Sequence, residues 1–226
     1  RAGHESGRRR AGDSAADVRR RGDEDRGRRA RWIGRRLDEV YPVVEPPLLH
    51  ADPFTLLVAV VLSAQCTDKQ VNRVTAELFA KYRTVDDYAD APPEQFAADI
   101  RRIGLYRNKA KNIQACCRAL RERHGREVPR TMAELTALAG VGRKTANVVL
   151  NVAFGEPTLA VDTHIFRVCN RTYLAPGKNP REVEDGLERV VPDKYKLHAH
   201  HWLILHGRYI CKARRPECER CLISEL

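Results

Sequence analysis

An all-α fold is predicted by three observations. Apolar residues recur at helical spacing through almost the whole chain from about Arg31, and no convincing run alternates apolar with polar as a half-buried strand does. Capping residues and prolines punctuate that pattern, as at Asp52-Pro53, Pro92-Pro93 and Asn179-Pro180. Gly140-Val141-Gly142 lies between two apolar-periodic segments, Met132 to Leu138 and Thr145 to Phe154. It is too rich in glycine to continue either helix, so it reads as a hairpin between them.

At 226 residues and 25.7 kDa the chain can bury a sizeable core and form one large or two small domains. A net charge of +11 and a pI near 9.6 point to a polyanionic partner. Residues 1–36 hold thirteen Arg against six Asp or Glu, a net of +7, which leaves +4 for the rest. Any nucleic-acid surface on the folded body is therefore local. The longest apolar run, Leu56 to Leu62, falls far short of the roughly 20 residues of a membrane span. The N-terminal segment has no apolar core of a secretory signal, and its six acids argue against a transit peptide. The expected location is cytoplasmic, where seven cysteines stay reduced and serve as metal ligands or core residues.

Taken in order, residues 1–30 have almost no large apolar side chains and read as a disordered basic tail, serving either non-specific DNA affinity or solubility. Trp32, Ile33, Leu37 and Val40 are spaced for a short amphipathic helix before the stops at Pro42 and Pro46-Pro47. Asp52 caps and Pro53 begins the next helix, and Phe54 to Ala64 is apolar nearly all round, as a helix packed on every side must be. An abrupt polar turn, Gln65 to Asp68, leads into a helix over Lys69 to Tyr82. Asp86 to Ile103 forms short helices. A basic loop, Gly104 to Ala110, carries Leu105 ahead of a helix to about His124, on which Cys116 and Cys117 show no metal-binding spacing.

The N–H groups that open the helix after the hairpin are unpaired and sit at the positive end of its dipole, where a DNA phosphate fits. A nucleotide-binding glycine loop is excluded, because Arg143 rather than glycine precedes Lys144. Lys144 lies in the first turn, where the dipole and burial favour the nucleophilic neutral amine. Asp162 follows eighteen residues later, beyond the Gly155-Glu156-Pro157 breaker. On the residues alone, Lys144 is also a solvent or phosphate contact and Asp162 a helix cap.

Asp162 to Tyr173 reads as a helix, Ala175 to Lys178 as a turn, and Asn179-Pro180 opens a helix to about Val190. Tyr195 to Ile210 is apolar and rich in histidine. His201 and His206 are five apart, off one helical face, which favours a packed helix with partnered histidines over a zinc site. Cys211, Cys218 and Cys221 give C-x6-C-x2-C, interleaved with Lys212, Arg214, Arg215 and Arg220. Three thiols on a short charged tail point to a soft metal, of which zinc is the commonest.

Leu138 to Arg167, LAGVGRKTANVVLNVAFGEPTLAVDTHIFR, closely resembles the helix-hairpin-helix and adjoining aspartate segment of the endonuclease III family of DNA glycosylases, with Ala139 where proline is usual. The resemblance covers roughly residues 31–226. It implies a six-helix domain with the hairpin over about 46–156, and a second domain over about 31–45 and 157–226. A [4Fe-4S] cluster on Cys211, Cys218 and Cys221 is implied, since the family continues its pattern as C-x6-C-x2-C-x5-C, which puts the fourth cysteine directly after Leu226. Omission of the last residues is the expectation for that ligand. It implies Lys144 and Asp162 as the catalytic pair, with Gly140, Val141, Gly142 and Arg143 on the DNA backbone. Gln65 and Leu105 would enter the duplex, Asp68 would lie by the base pocket, and His164 would support Asp162. Lys212, Arg214 and Arg215 would meet phosphates. The implied partner is double-stranded DNA with a damaged base or abasic site. The implied activity is bifunctional, removing oxidised pyrimidines and cleaving abasic sites without an external cofactor, in a monomer. A monofunctional glycosylase of the same fold and a non-catalytic DNA-binding module are the alternatives.

Overall fold

The computed structural model describes residues 15–41 and 46–224. Among these residues there are eleven α-helices, a 3-10 turn and no strand. Helix α1 (Ala15–Val40) begins well before Arg31 and so reaches into the segment expected to form a tail. Its C-terminal half explains the difference. Ala30, Ile33 and Leu37 are buried, and Arg29 Nη1 donates to the Thr172 carbonyl at 2.6 Å. From such an anchored stretch a helix propagates at one hydrogen bond per residue, without the cost of nucleation. Pairs one turn apart, Arg26 with Asp23 at 3.2 Å and Arg28 with Asp25, assist it. Residues 1–14 and the Pro42 stop lie outside the described residues.

Helix α2 (Pro53–Ser63) is closed at its start by a capping box. Asp52 Oδ1 accepts from Thr55 N at 2.7 Å, and Thr55 Oγ1 accepts from Asp52 N at 3.1 Å. Leu56 through Leu62 are all buried, so α2 is the central helix that its unbroken apolar run predicts. Around it pack α3 (Asp68–Lys81), α6 (Tyr106–Arg123) and α8 (Arg143–Phe154). The cap of α3 is Thr67, whose hydroxyl accepts from Gln70 N, which leaves Asp68 inside the first turn. Short helices α4 (Val85–Asp90), α5 (Pro93–Asp99) and α7 (Met132–Thr136) complete this half. Cys116 and Cys117 are core residues, and burial pushes the Cys116 thiol up to about 12.

Gly140 is required twice over at the hairpin between α7 and α8. Its φ is +79°, and a Cβ there would lie 2.9 Å from the Asn112 Cβ. Beyond α8 come α9 (Thr163–Arg171), α10 (Pro180–Val190), α11 (Asp193–Tyr209) and the 3-10 turn Cys218–Arg220.

The buried apolar side chains gather into two clusters. One runs from Leu48 to Leu150 and is centred on α2. The other joins Ala30, Ile33 and Leu37 of α1 to Leu159 through Ile223, so that both ends of the described chain meet in it. No helix of the described residues is long and apolar enough to cross a membrane.

Candidate active site

Lys144 and Asp162 come together because the chain doubles back along α8. That helix is about 18 Å long at a rise of 1.5 Å per residue, and Gly155, with φ +69°, closes its C-terminus in the left-handed conformation. Residues 156–162 then return as extended chain, long enough at about 3.3 Å per residue to reach the start of α8. Two asparagines on one face of α8 hold the returning segment. Asn151 Nδ2 donates to the carbonyls of Glu156, Thr158 and Leu197, each at 3.2 Å. Thr158 Oγ1 donates to the Asn147 carbonyl at 2.6 Å. Lys144, Asn147 and Asn151 fall at i, i+3 and i+7, so the stripe that fixes the segment also carries the lysine.

Asp162 is the N-cap of α9. Its Oδ1 accepts from His164 N at 2.9 Å and Ile165 N at 2.8 Å, while Oδ2 takes no protein partner among the described residues. The capping role and a second, open oxygen therefore coexist in one carboxylate. Lys144 is exposed and has no ion pair among the described residues. Both side chains line a cavity of 380 Å³ between the two clusters, whose walls also include Gln65, Asp68, His200 and Arg208. Arg208 Nη2 reaches Asp68 Oδ2 at 3.2 Å, which ties α11 to α3 across the cleft.

Of the histidines on α11, His200 is partnered on one side only: its ring meets the Ala160 backbone, while Nδ1 is buried without a hydrogen-bond partner among the described residues. Burial, with His201 and Lys144 nearby, depresses its pKa to about 3, so the imidazole stays neutral and adds no cation beside the lysine. Spacing hid it, because a histidine between apolar neighbours reads the same whether a core or a cleft lies beside it. Arg208 was missed because an exposed arginine in the last turn of a helix reads as a solvated charge.

Other sequence-predicted residues are placed differently. Gln65 and Leu105 are both exposed, with φ of 55° and 58°, on neighbouring loops. Gly142 is the exposed N-cap of α8, and Val141 is buried beneath the hairpin. His164 faces away from the cavity, with Nδ1 3.2 Å from Arg167 Nη2, so its backbone rather than its ring serves Asp162. Lys212 pairs with Glu217, whereas Arg214 and Arg215 are exposed.

The Arg143 guanidinium is engaged within the protein. Its Nη2 lies 2.6 Å from Oε1 of Glu184, a carboxylate only 6% exposed, which also accepts from Asn147 Nδ2 at 3.1 Å. This pair joins α8 to α10 and so fixes the spacing of the cleft walls. Breaking a buried pair costs about 3–5 kcal/mol. Arg143 is 41% exposed, and Arg181 lies 3.5 Å from the same oxygen, so the cost falls here. Arg143→Met is expected to destabilise by about 2 kcal/mol in urea unfolding, and Glu184→Gln in the same chain to recover much of that loss. An unchanged midpoint would rule the pair out as a structural tie.

Cys211, Cys218 and Cys221 share one loop beside the second cluster. Burial and the two neighbouring thiols push the Cys221 thiol up. Arg171 Nη1 lies 3.5 Å from Cys211 Sγ. Three soft donors on one loop, with the Arg171 guanidinium beside Cys211, suit an iron–sulfur cluster. Among the described residues they are not drawn into a closed ligand set.

The chain is similar to known proteins in both sequence and fold. Residues 58–193 match the HhH-GPD superfamily base excision DNA repair protein family, and residues 211–226 match the iron-sulfur binding domain of endonuclease III. Endonuclease III of Escherichia coli (strain K12) is 55% identical over 191 residues, covering 84% of this chain and 90% of that protein. Endonuclease III of Bacillus subtilis (strain 168) is 51% identical over 192 residues, covering 84% and 88%. A solved non-covalent endonuclease III–DNA complex superimposes with a TM-score of 0.84 at 47% identity, over 88% of this chain and 94% of that one. A trapped endonuclease III–DNA covalent intermediate does so with a TM-score of 0.82 at 48% identity, over 86% and 92%. With the superfamily match covering more than half of the chain and relatives of this identity matched over most of their length, the chain belongs to the endonuclease III family of base excision DNA repair proteins.

Proposed function

We propose that the protein is a bifunctional DNA glycosylase and abasic-site lyase that removes oxidised pyrimidines from duplex DNA, with Lys144 as nucleophile and Asp162 as its electrostatic and proton-handling partner. The observation that carries this reading is the meeting of an exposed lysine and a carboxylate whose Oδ2 has no partner among the described residues, each at a helix N-terminus, in one cavity between the two clusters. A non-catalytic grip on DNA has no use for that pair. The trapped covalent complex of a relative supports covalent chemistry on this scaffold.

Extrusion of the damaged nucleotide brings its C1′ into the cavity. The free N–H groups of α8 hold a flanking phosphate, and Arg214 and Arg215 hold the backbone further along. Gln65 and Leu105 fill the gap left in the stack, Asp68 lies beside the extruded base, and the His164 N–H keeps Asp162 in place. The Lys144 amine bonds to C1′ as the glycosidic bond breaks. The base leaves with the bonding electrons and takes up a proton, and Asp162 stabilises the positive charge on the sugar. Ring opening gives the protonated Schiff base, which acidifies the C2′ hydrogens, and loss of one expels the 3′ phosphate by β-elimination.

Cys211, Cys218 and Cys221 would hold the [4Fe-4S] cluster, whose binding would brace a loop with little core of its own. The domains follow the two clusters, 46–156 against 31–45 with 157–226. The protein acts as a monomer in the bacterial cytoplasm, in keeping with the bacterial source of the relatives.

Borohydride reduction tests the reading on duplexes carrying one thymine glycol or one abasic site. A covalent adduct is expected on both, mapping to the peptide that contains Lys144. Trapping on the abasic duplex alone would move the lesion preference away from oxidised pyrimidines. Binding without trapping on either would favour a monofunctional enzyme.

A further inference from the structure

Lys109 is 5% exposed on α6, yet no carboxylate pairs with it among the described residues. An unpaired buried ammonium is costly, so its partners indicate what it is for. Nζ donates to the Leu62 carbonyl at 2.8 Å and to the Ala64 carbonyl at 2.5 Å, the last turn and C-cap of α2. Those carbonyls have no helical partner of their own, and a cation at a helix C-terminus opposes the dipole. Residue 65, held between this cap and Cys66, is Gln65. At its other end, the Lys109 backbone N–H donates to the Leu105 carbonyl at 3.1 Å, closing the first turn of α6. One residue thus grips the roots of both exposed side chains.

Those two side chains share an unusual state. Gln65 and Leu105 both occupy the left-handed region, which side chains other than glycine and asparagine rarely adopt and which persists only where the surroundings over-determine it. Their loops also touch. A Cβ on Gly104, next to Leu105, would lie 3.6 Å from the Gln65 carbonyl oxygen. Gln70 Nε2 adds a bond at 3.5 Å to the Arg102 carbonyl.

We propose that Lys109 is a positioning residue that holds Gln65 and Leu105 as one rigid two-pronged wedge. This rests on the reading above that both side chains enter the duplex. A wedge opens a base stack only if its prongs keep their spacing under load, and a loop free to relax its backbone would yield before the DNA does. Methionine at 109 would fill the space but leave the Leu62 and Ala64 carbonyls unpaired, so the Gln65 loop would relax and its spacing from Leu105, whose backbone bond to residue 109 remains, would no longer be fixed. The loss should therefore fall on extrusion rather than on encounter with DNA.

The test uses the full-length protein and a thymine glycol duplex with 2-aminopurine beside the lesion, whose fluorescence rises on unstacking. Lys109→Met, checked for folding by urea unfolding, is expected to lose most of that rise. Its single-turnover excision at saturating enzyme should slow by about tenfold or more, with Kd within about threefold. Lys109→Gln, which keeps a donor for one carbonyl, should give an intermediate rise and rate and serves if the methionine variant unfolds. Gln65→Ala and Leu105→Ala should each lose the rise as well, and adding Lys109→Met to the pair should cost little more. A full rise and rate in a folded Lys109→Met, with losses in the Gln65 and Leu105 variants, overturns the role of Lys109 alone. A full rise in all three overturns the wedge reading itself.

Discussion

Replacing Lys144 with alanine is expected to abolish the borohydride-trapped adduct and to lower strand cleavage by about three orders of magnitude or more. The fold should hardly register the change. Lys144 is exposed, pairs with no carboxylate among the described residues, and sits in the first turn of a helix where alanine is the best former. Urea unfolding should therefore move by no more than about 0.5 kcal/mol. DNA binding should persist, because the N–H groups of the helix start remain and only one cation is lost. The slope of log K against log salt should fall by no more than about 0.9, the value of one phosphate contact. Gel analysis of the trapped adduct and anisotropy at several salt concentrations measure both. An adduct that survives in the variant would place the nucleophile elsewhere.

Asp162→Asn should lower single-turnover glycosylase rate by about 10²- to 10⁴-fold while leaving DNA affinity near that of the parent. The structure makes asparagine the informative choice. The Asp162 Oδ1 bonds to His164 N and Ile165 N hold the start of α9, and an asparagine carbonyl accepts them equally well. What is removed is the negative charge, with Oδ2 replaced by an amide that cannot take up a proton. Asp162→Ala would lose the cap too, at about 1 kcal/mol of stability, so the two variants together separate capping from chemistry. Single-turnover kinetics beside urea unfolding decide the matter. A rate unchanged in the asparagine variant would reduce Asp162 to a cap.

Helix type and position were legible in the sequence wherever local chemistry was self-sufficient. Asp52-Pro53 capped and began α2, Asn179-Pro180 began α10, and the Leu56 to Leu62 run was buried throughout. Gly140 was legible as a hairpin glycine, though the second demand on it, contact with Asn112, was not. The start of α1 was misplaced. Composition there argues against order, and only docking against Thr172 and the second cluster supplies the anchor.

The residues that organise the site were the harder part. Lys144 and Asp162 stood out through the motif, but Glu184, Asn147, Asn151, Lys109 and His200 did not. Each is polar inside an apolar-periodic helix, and periodicity treats such a residue as an exception without saying what it meets. Arg143 shows the converse. The resemblance put it on the DNA backbone, but nothing in the sequence announced its pairing with Glu184, forty-one residues away.

The sequence by itself determined which segments are helical, where most of them start, and which side chains are capable of the chemistry. Caps, breakers and apolar period act within a few residues, so they can be read from the order of residues alone. The tertiary structure decided that the segment after Gly155 returns along α8, that α10 answers Arg143 with a buried carboxylate, and that Lys109 secures two loops at once. Those outcomes depend on which distant groups share a buried space, where an unmet hydrogen bond or charge is costly and only one arrangement satisfies them all.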